Sequence, residues 1–281
     1  MFCRRFLGRY SGIMLMSGDL TGVRAKIDRA IEHKTALEAA IDEWLSRKPY
    51  RFQEHADAET GWFTLTFREL EAPPLRLGAI FGDFVNNLES ALDILISDLV
   101  RASGGKPSSG NYFPVVTILD RWDHARSDKL KGVRDAWADK IKAVQPFHDG
   151  PLAYRHPLSV LHCANNKNKH SVLTPTVVSS FEWEPTFEFN RNAEVGDQVA
   201  NDLGGALPPP AGSVFIDGQI WIRVRAISPR NDLRVTGIRG GIPAVLGVGF
   251  DLGIEMGGSP FPDLLAFVVG VVDEFEEVLS W

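Results

Sequence analysis

Cysteine is nearly absent from this chain: Cys3 and Cys163 are its whole complement of two. They make neither a metal-ligand spacing nor a disulfide framework, which points to a reducing compartment and a cytoplasmic location. Long hydrophobic runs are missing too. The most apolar stretch, LLAFVVGVV at 264–272, ends in DEFEE and falls far below the roughly 18 consecutive apolar residues of a spanning helix. No membrane segment is expected. Near the N-terminus Arg9 interrupts a weakly hydrophobic run, and 13–16 is too short for the apolar region of a signal peptide. Residues 1–16 therefore read as a loose tail, or as a start placed upstream of true initiation at Met14 or Met16. An excess of positive charge is also lacking. Lys and Arg number 30 against 36 Asp and Glu, a net charge of −6, which disfavours wholesale electrostatic binding to nucleic acid while leaving room for a local basic patch.

Recognised catalytic and metal motifs are missing as well. There is no P-loop, nucleophile elbow or zinc signature. GVGFDLG at 247–253 has glycines alternating within a strand, whereas a dinucleotide-binding G-x-G-x-x-G turns from strand into helix. His156, His162 and His170 have spacings that fit no recognised metal site. No metal and no cofactor are expected.

What remains is ordinary globular material: 281 residues, 44% hydrophobic and 23% charged, enough for a substantial core in one large domain or two modest ones. A first helix is predicted over about 19–47, with Leu20, Val23, Ile27, Ala30, Lys34, Leu37, Ile41 and Trp44 at alternating steps of three and four. YRFQEH and WFTLTFREL around ADAETG read as a β-hairpin. A second long helix is expected over about 75–102, closed by ASGGKPSSG, and a third over about 127–144 with Leu130, Val133, Trp137, Ile141 and Val144 on one face. A fourth runs from about Pro157 into ANNKNKH.

Beyond His170 the texture turns to strands: FEWEPTFEFN alternates, Asp217-Gly218 suits a hairpin turn, and 246–256 alternates apolar with small or polar residues. GGALPPPAG at 204–212 is a loop, and 262–281 a final, mostly apolar helix. The predicted fold is α+β: a helical bundle core with a β-hairpin over 17–171, a β-rich region at 172–258, and a terminal helix in 259–281 packing back on the bundle. That apolar last helix could alternatively form a homodimer seam.

The second helix carries an unusual polar arc. Opposite its apolar face lie Asp83, Asn87, Ser90, Asp93 and Ser97, short side chains that weaken a helix and suit a hydrogen-bonded interior. The plainer alternative is a face open to water. Partners could come from the asparagine cluster, where Asn166 and His170 stand four apart. The expectation is a polar pocket between the second and fourth helices, with Asp83, Asn87, Ser90 and Asn166 binding a ligand. Within it His170 would move protons, Asp93 would orient the imidazole and Lys169 would neutralise an anion. The plainer reading of Lys169 and His170 is that they complement the helix dipole.

GDFVNNLESALDILISDL, followed by FPV, QPF and ANNKNKH, resembles an uncharacterised family of actinobacteria and their phages, over about 75–171. Its pattern is D-x-x-x-N-L-R-S-A-L-D-x-L, then F-P, Q-P and N-x-D-K-H-R. Asp83, Asn87, Ser90, Ala91, Leu92 and Asp93 match, then Phe113-Pro114, Gln145-Pro146, Lys169 and His170. The chain departs from the pattern at Glu89, Asn168 and Ser171, and the resemblance implies no reaction. A more distant likeness is to HEPN domains, helical bundles of RNA-cleaving toxins and defence proteins. Their signature is an arginine, four to six residues, then a histidine near a helix end. His170 sits suitably, but 164–166 reads Ala-Asn-Asn, without the arginine that would stabilise charge on a phosphate.

Two functions follow as expectations. The first is a non-enzymatic binding or interaction module using the polar pocket. The alternative is a degenerate HEPN-like RNA-processing or defence protein with His170 as general acid and base. Separately, Trp221, Arg223 and Arg225 are expected on one strand face, a basic aromatic surface of the kind that binds RNA or single-stranded DNA; the plainer reading is the solvated side of a sheet.

Overall fold

Helix α1 (Thr21–Ser46) forms where the three-and-four spacing predicts it, and it serves two cores. The computed structural model describes residues 20–179, 186–195, 197–201, 215–239, 246–250 and 263–279. Leu20, Val23, Ile27 and Ala30 of α1 enter a helical core, whereas Trp44 at its far end enters a second core built on strands. Lys34, which breaks the apolar seam, turns out to an ion pair with Glu38. Helix α2 (Leu75–Ala102) starts after Pro73-Pro74, with Pro74 extended at its N-cap, and packs most extensively on α1. Its Phe81, Val85, Leu88, Leu92, Leu95 and Leu99 are buried.

The expected third helix is two helices, α3 (Trp122–Lys129) and α4 (Asp135–Ala143). The break lies at Gly132, whose φ of +90° is cheap only for a residue without Cβ. Helix α5 (Pro157–His170) begins with proline at its first position, and the His156 ring accepts from Leu158 N at 3.2 Å. Burial lowers the His156 pKa, which favours the neutral ring that this acceptor role needs. Helix α6 (Leu264–Leu279) is capped by Asp263, whose Oδ1 accepts from Ala266 N at 2.9 Å. Its Leu264, Val268, Val271, Val272 and Phe275 are buried in the helical core. Arg24 of α1 clamps α6 through Asp273 at 2.6 Å and Glu276 at 2.8 Å. The face expected to form a homodimer seam is thus consumed inside the chain.

Strands β1 (Tyr50–Ala56) and β2 (Trp62–Glu69) form the expected hairpin. Asp57 Oδ1 accepts from Glu59 N at 2.9 Å and Thr60 N at 3.1 Å in its turn. The later strands are β3 (Pro175–Ser179), β4 (Thr186–Phe189), β5 (Gln198–Asn201), β6 (Ile220–Ile227), β7 (Val235–Arg239) and β8 (Leu246–Phe250). Among the described residues all ladders are antiparallel, and the sheet order is β1-β2-β6-β5, beside the pairs β3-β8 and β4-β7.

The hairpin therefore does not belong to the helical part. Its Phe63, Leu65 and Phe67 share the second core with Ile222 and Val224 of β6. There Phe52 and Phe215 each pack against Phe67, Trp221 and one another, with ring centroids 5.0 to 5.9 Å apart. Asp217-Gly218 does turn the chain, with Gly218 at φ +77°, but among the described residues it closes no hairpin. Phe215 N donates to Val177 O of β3 at 2.9 Å while β6 pairs with β2 and β5.

The fold is α+β, with the last helix returned to the bundle. Among the described residues no helix is long and apolar enough to cross a membrane. The 1–16 tail, the first half of FEWEPTFEFN, the 204–212 loop and 251–256 lie outside the described residues.

Candidate functional site

Helices α2 and α5 run antiparallel and touch closely. An ideal Cβ on Gly78 would lie 1.7 Å from Leu173 O, just past the end of α5, and one on Gly82 would lie 2.0 Å from Asn168 Oδ1. Two glycines one turn apart thus let the C-terminal end of α5 rest on the backbone of α2. Further along α2, the same approach brings Glu89 against the middle of α5. Glu89 Oε1 meets His162 Nδ1 at 2.9 Å, and Asn165 Nδ2 donates to Glu89 Oε2. Asn166 Nδ2 lies 2.9 Å from His162 Nε2. An amide nitrogen can only donate, so Nε2 accepts and the ring proton sits on Nδ1, donating to Glu89.

The electrostatics of the seam follow from this geometry. Glu89 has a side chain 15% exposed, and burial opposes its charge. The bonds from His162 and Asn165, with the charge of Lys169, prevail and hold its pKa below the ordinary carboxylate value. Asp93, one turn along α2, goes the other way. Burial and the neighbouring Glu89 raise its pKa, against the lowering effects of the Phe113 amide, Lys169 and His162. Asn165 is 2% exposed, and its Oδ1 has no hydrogen-bond partner among the described residues. The seam opens to solvent at His162, whose side chain is 46% exposed.

The expected site residues divide. Asp93 and Lys169 are at this seam, as is Asn166. His170 is not: it is exposed at the last position of α5, near the level of Gly82. Asp93 stands roughly 16 Å further along α2 at about 1.5 Å per residue, so the expected pairing of Asp93 with His170 does not form. Asp93 Oδ1 instead accepts from Phe113 N at 2.9 Å. Asn87 faces α1, taking Lys26 Nζ at 3.3 Å and donating to Asp83 O at 2.8 Å. Asp83 is exposed and Ser90 half-buried, and no hydrogen bond among the described residues ties either side chain to α5. Where the pocket was expected, the two helices meet in a hydrogen-bonded seam that opens at His162. A groove of about 330 Å³ lies elsewhere, lined mainly by Ala72, Pro73, Leu75, Pro175, Val177 and Phe215.

Glu89, His162 and Asn165 were not among the expected ligands. The usable signal was their spacing: Glu89 and Asp93 are four apart on one helix, and His162, Asn165, Asn166 and Lys169 are three and four apart on the other. The F-P and Q-P motifs act as staples. Gln145, 0% exposed, accepts from Val116 N at 3.0 Å and donates to Ile141 O at 3.1 Å. Together with Asp93 it fastens 113–116 to the bundle.

Trp221 is also displaced from its expected place. Opposite Leu65 and Thr66, β6 offers Ile222 and Ile220, so Trp221 is the extra residue of a β-bulge. The bulge inverts the alternation and turns Trp221, 7% exposed, into the second core. Trp62 of β2 takes its place beside Arg223 and Arg225, whose guanidinium carbons lie 4.8 and 5.0 Å from its ring centroid.

Among the described residues no group of three or more His, Cys, Asp or Glu is placed to hold a metal ion. Burial raises the Cys163 thiol pKa, which makes a reactive thiolate less available. No protein-family model matches the chain, and neither a curated protein nor a solved structure matches it.

Proposed function

We propose that this protein is a binding module that takes a nitrogen donor, the ammonium, guanidinium or amide of a peptide-like ligand, at the α2–α5 seam. The observation that carries the reading is the unpartnered Oδ1 of Asn165, buried beside the ionised Glu89 carboxylate. A buried acceptor without a donor costs about 1–3 kcal/mol, which a ligand N–H would recover. Glu89 and Asp93 outnumber Lys169, so the seam is acceptor-rich and suits a cationic or neutral donor better than an anion. The imidazole has both nitrogens engaged, an arrangement that holds a shape more readily than it moves a proton. The test is NMR titration of the asparagine side-chain amides with butylammonium, an arginine-containing peptide, acetate and phosphate. The nitrogen donors should shift the Asn165 and Asn166 signals, and Asn165→Leu should abolish binding. No response to the nitrogen donors, or a response to phosphate alone, rejects the reading.

A second reading, acid–base processing of RNA, is favoured by one feature. Arg155 precedes His162 by the spacing of the HEPN signature, with six residues between, so the arginine missing before His170 stands before the histidine that Glu89 orients. Cleavage of mixed RNA that disappears in His162→Ala and survives in His170→Ala would support it. Inert wild-type protein would dismiss it.

A further inference from the structure

We propose that the outer face of the four-stranded sheet binds single-stranded nucleic acid through Arg223 and Arg225 around Trp62 and through Arg51 and Arg68 at the other end of β2. The inner face is fixed by Phe63, Leu65, Phe67, Ile222 and Val224, all buried. Alternation then puts Arg51, Gln53 and His55 of β1, Trp62, Thr64, Thr66 and Arg68 of β2, and Arg223 and Arg225 of β6 on the other side. The register assembles them: Trp62 faces Arg225, Thr64 faces both His55 and Arg223, and Arg51 faces Arg68. The strand positions of this face carry no carboxylate among the described residues, in a chain whose net charge is −6.

Three features favour an anionic partner over a merely solvated face. Arg51 and Arg68 stand directly opposite each other, and like charges in that position destabilise a sheet. Arg68 donates to a neutral acceptor, Gln53 Oε1, at 3.2 Å, and among the described residues no salt bridge takes up Arg51, Arg68 or Arg225. Around Trp62, Arg223 and Arg225 lie 4.8 and 5.0 Å from one indole centroid. A ring attracts a cation without neutralising it, so it restrains two flexible side chains and leaves the charge of Arg225 for a phosphate. The two arginine pairs sit toward opposite ends of β2, about 14 to 20 Å apart at roughly 3.4 Å per residue, a span that several nucleotides cross. The aromatic ring and guanidinium planes offer stacking surface to unpaired bases, which favours a single strand over a duplex or a lipid surface.

Fluorescence anisotropy of a labelled mixed-sequence 12-nucleotide strand, over a salt series, tests this on the full chain. Four phosphate contacts predict a slope of log affinity against log salt of about −3, at roughly −0.7 per contact. Arg223→Gln with Arg225→Gln should bring the slope to about −1.4 and weaken binding at least tenfold. Arg51→Gln with Arg68→Gln, at the other end of the sheet and away from Trp62, should lower the slope by the same amount, so the idea survives if one double variant fails to fold. Slopes unchanged in both double variants overturn it. So does a wild type that ignores the oligonucleotide at low salt, or that binds phosphatidylserine vesicles in its place.

Discussion

Replacing Gly78 by alanine should destabilise this protein, although it puts the best helix former inside a helix. In isolation the exchange gains about 1 kcal/mol. Here the new Cβ would lie 1.7 Å from Leu173 O, 2.8 Å from Leu173 C and 3.3 Å from Val172 Cγ1. The first two obstacles are backbone, so more than an ångström of separation must come from moving the segment after α5 away from α2. Overpacking of that kind costs about 1–3 kcal/mol, occasionally more, and this clash sits at the severe end. The expected net loss is about 2 kcal/mol. Two other glycines calibrate it. At Gly82 the obstacle is the Asn168 side chain, 2.0 Å away, which can swing aside, so the loss should be smaller. At Gly22 the nearest atom is Ile94 Cγ2 at an ordinary 3.4 Å, so alanine should be neutral or stabilise by up to about 1 kcal/mol. Urea unfolding with the denaturant slope held in common reads all three. A Gly78→Ala midpoint at or above wild type, or a Gly22→Ala midpoint below that of Gly78→Ala, would refute the close-approach argument.

Gln145→Leu strips the Val116 amide of its acceptor inside the bundle and should cost about 1–3 kcal/mol in the same urea assay. Glu89→Gln should lose stability at neutral pH and change the acid limb. The folded pKa of Glu89 lies below its unfolded value, so its contribution is present above the unfolded pKa and vanishes as pH falls through the folded one. The gap between wild type and variant should therefore close on acidification, and a gap constant down to pH 2 would contradict this. His162→Ala leaves a Glu89 oxygen and the Asn166 amide without their bonds and should cost about 1 kcal/mol or more, whereas His170→Ala, at an exposed helix end, should stay within about 0.5 kcal/mol. Equal thermal shifts for the two would remove His162 from the centre of the seam.

Legibility followed locality. The limits of α1, α2 and α5 match their expected ranges closely, because apolar periodicity and proline act within a few residues of where they stand. The third helix came out divided because the same apolar face continues across Gly132, and the amphipathic pattern does not register one left-handed residue. The polar arc of α2 looked like one surface, but its members serve different neighbours: Asn87 meets α1 and Asp93 holds Phe113, while Glu89, outside that arc, is the residue that meets α5. Choosing among Asp83, Glu89 and Asp93 as the partner of α5 requires the antiparallel register that Gly78 and Gly82 permit.

Taken alone, the residues determined the α+β class, the long helices, the hairpin and the shortness of every apolar run, since each depends on neighbours in the chain. Only the tertiary structure decided that the hairpin joins β6, that a bulge exchanges Trp221 for Trp62, and that Glu89 meets His162 while His170 stays outside. Those outcomes rest on register between distant segments, where one residue of slip or one missing Cβ selects which side chains meet.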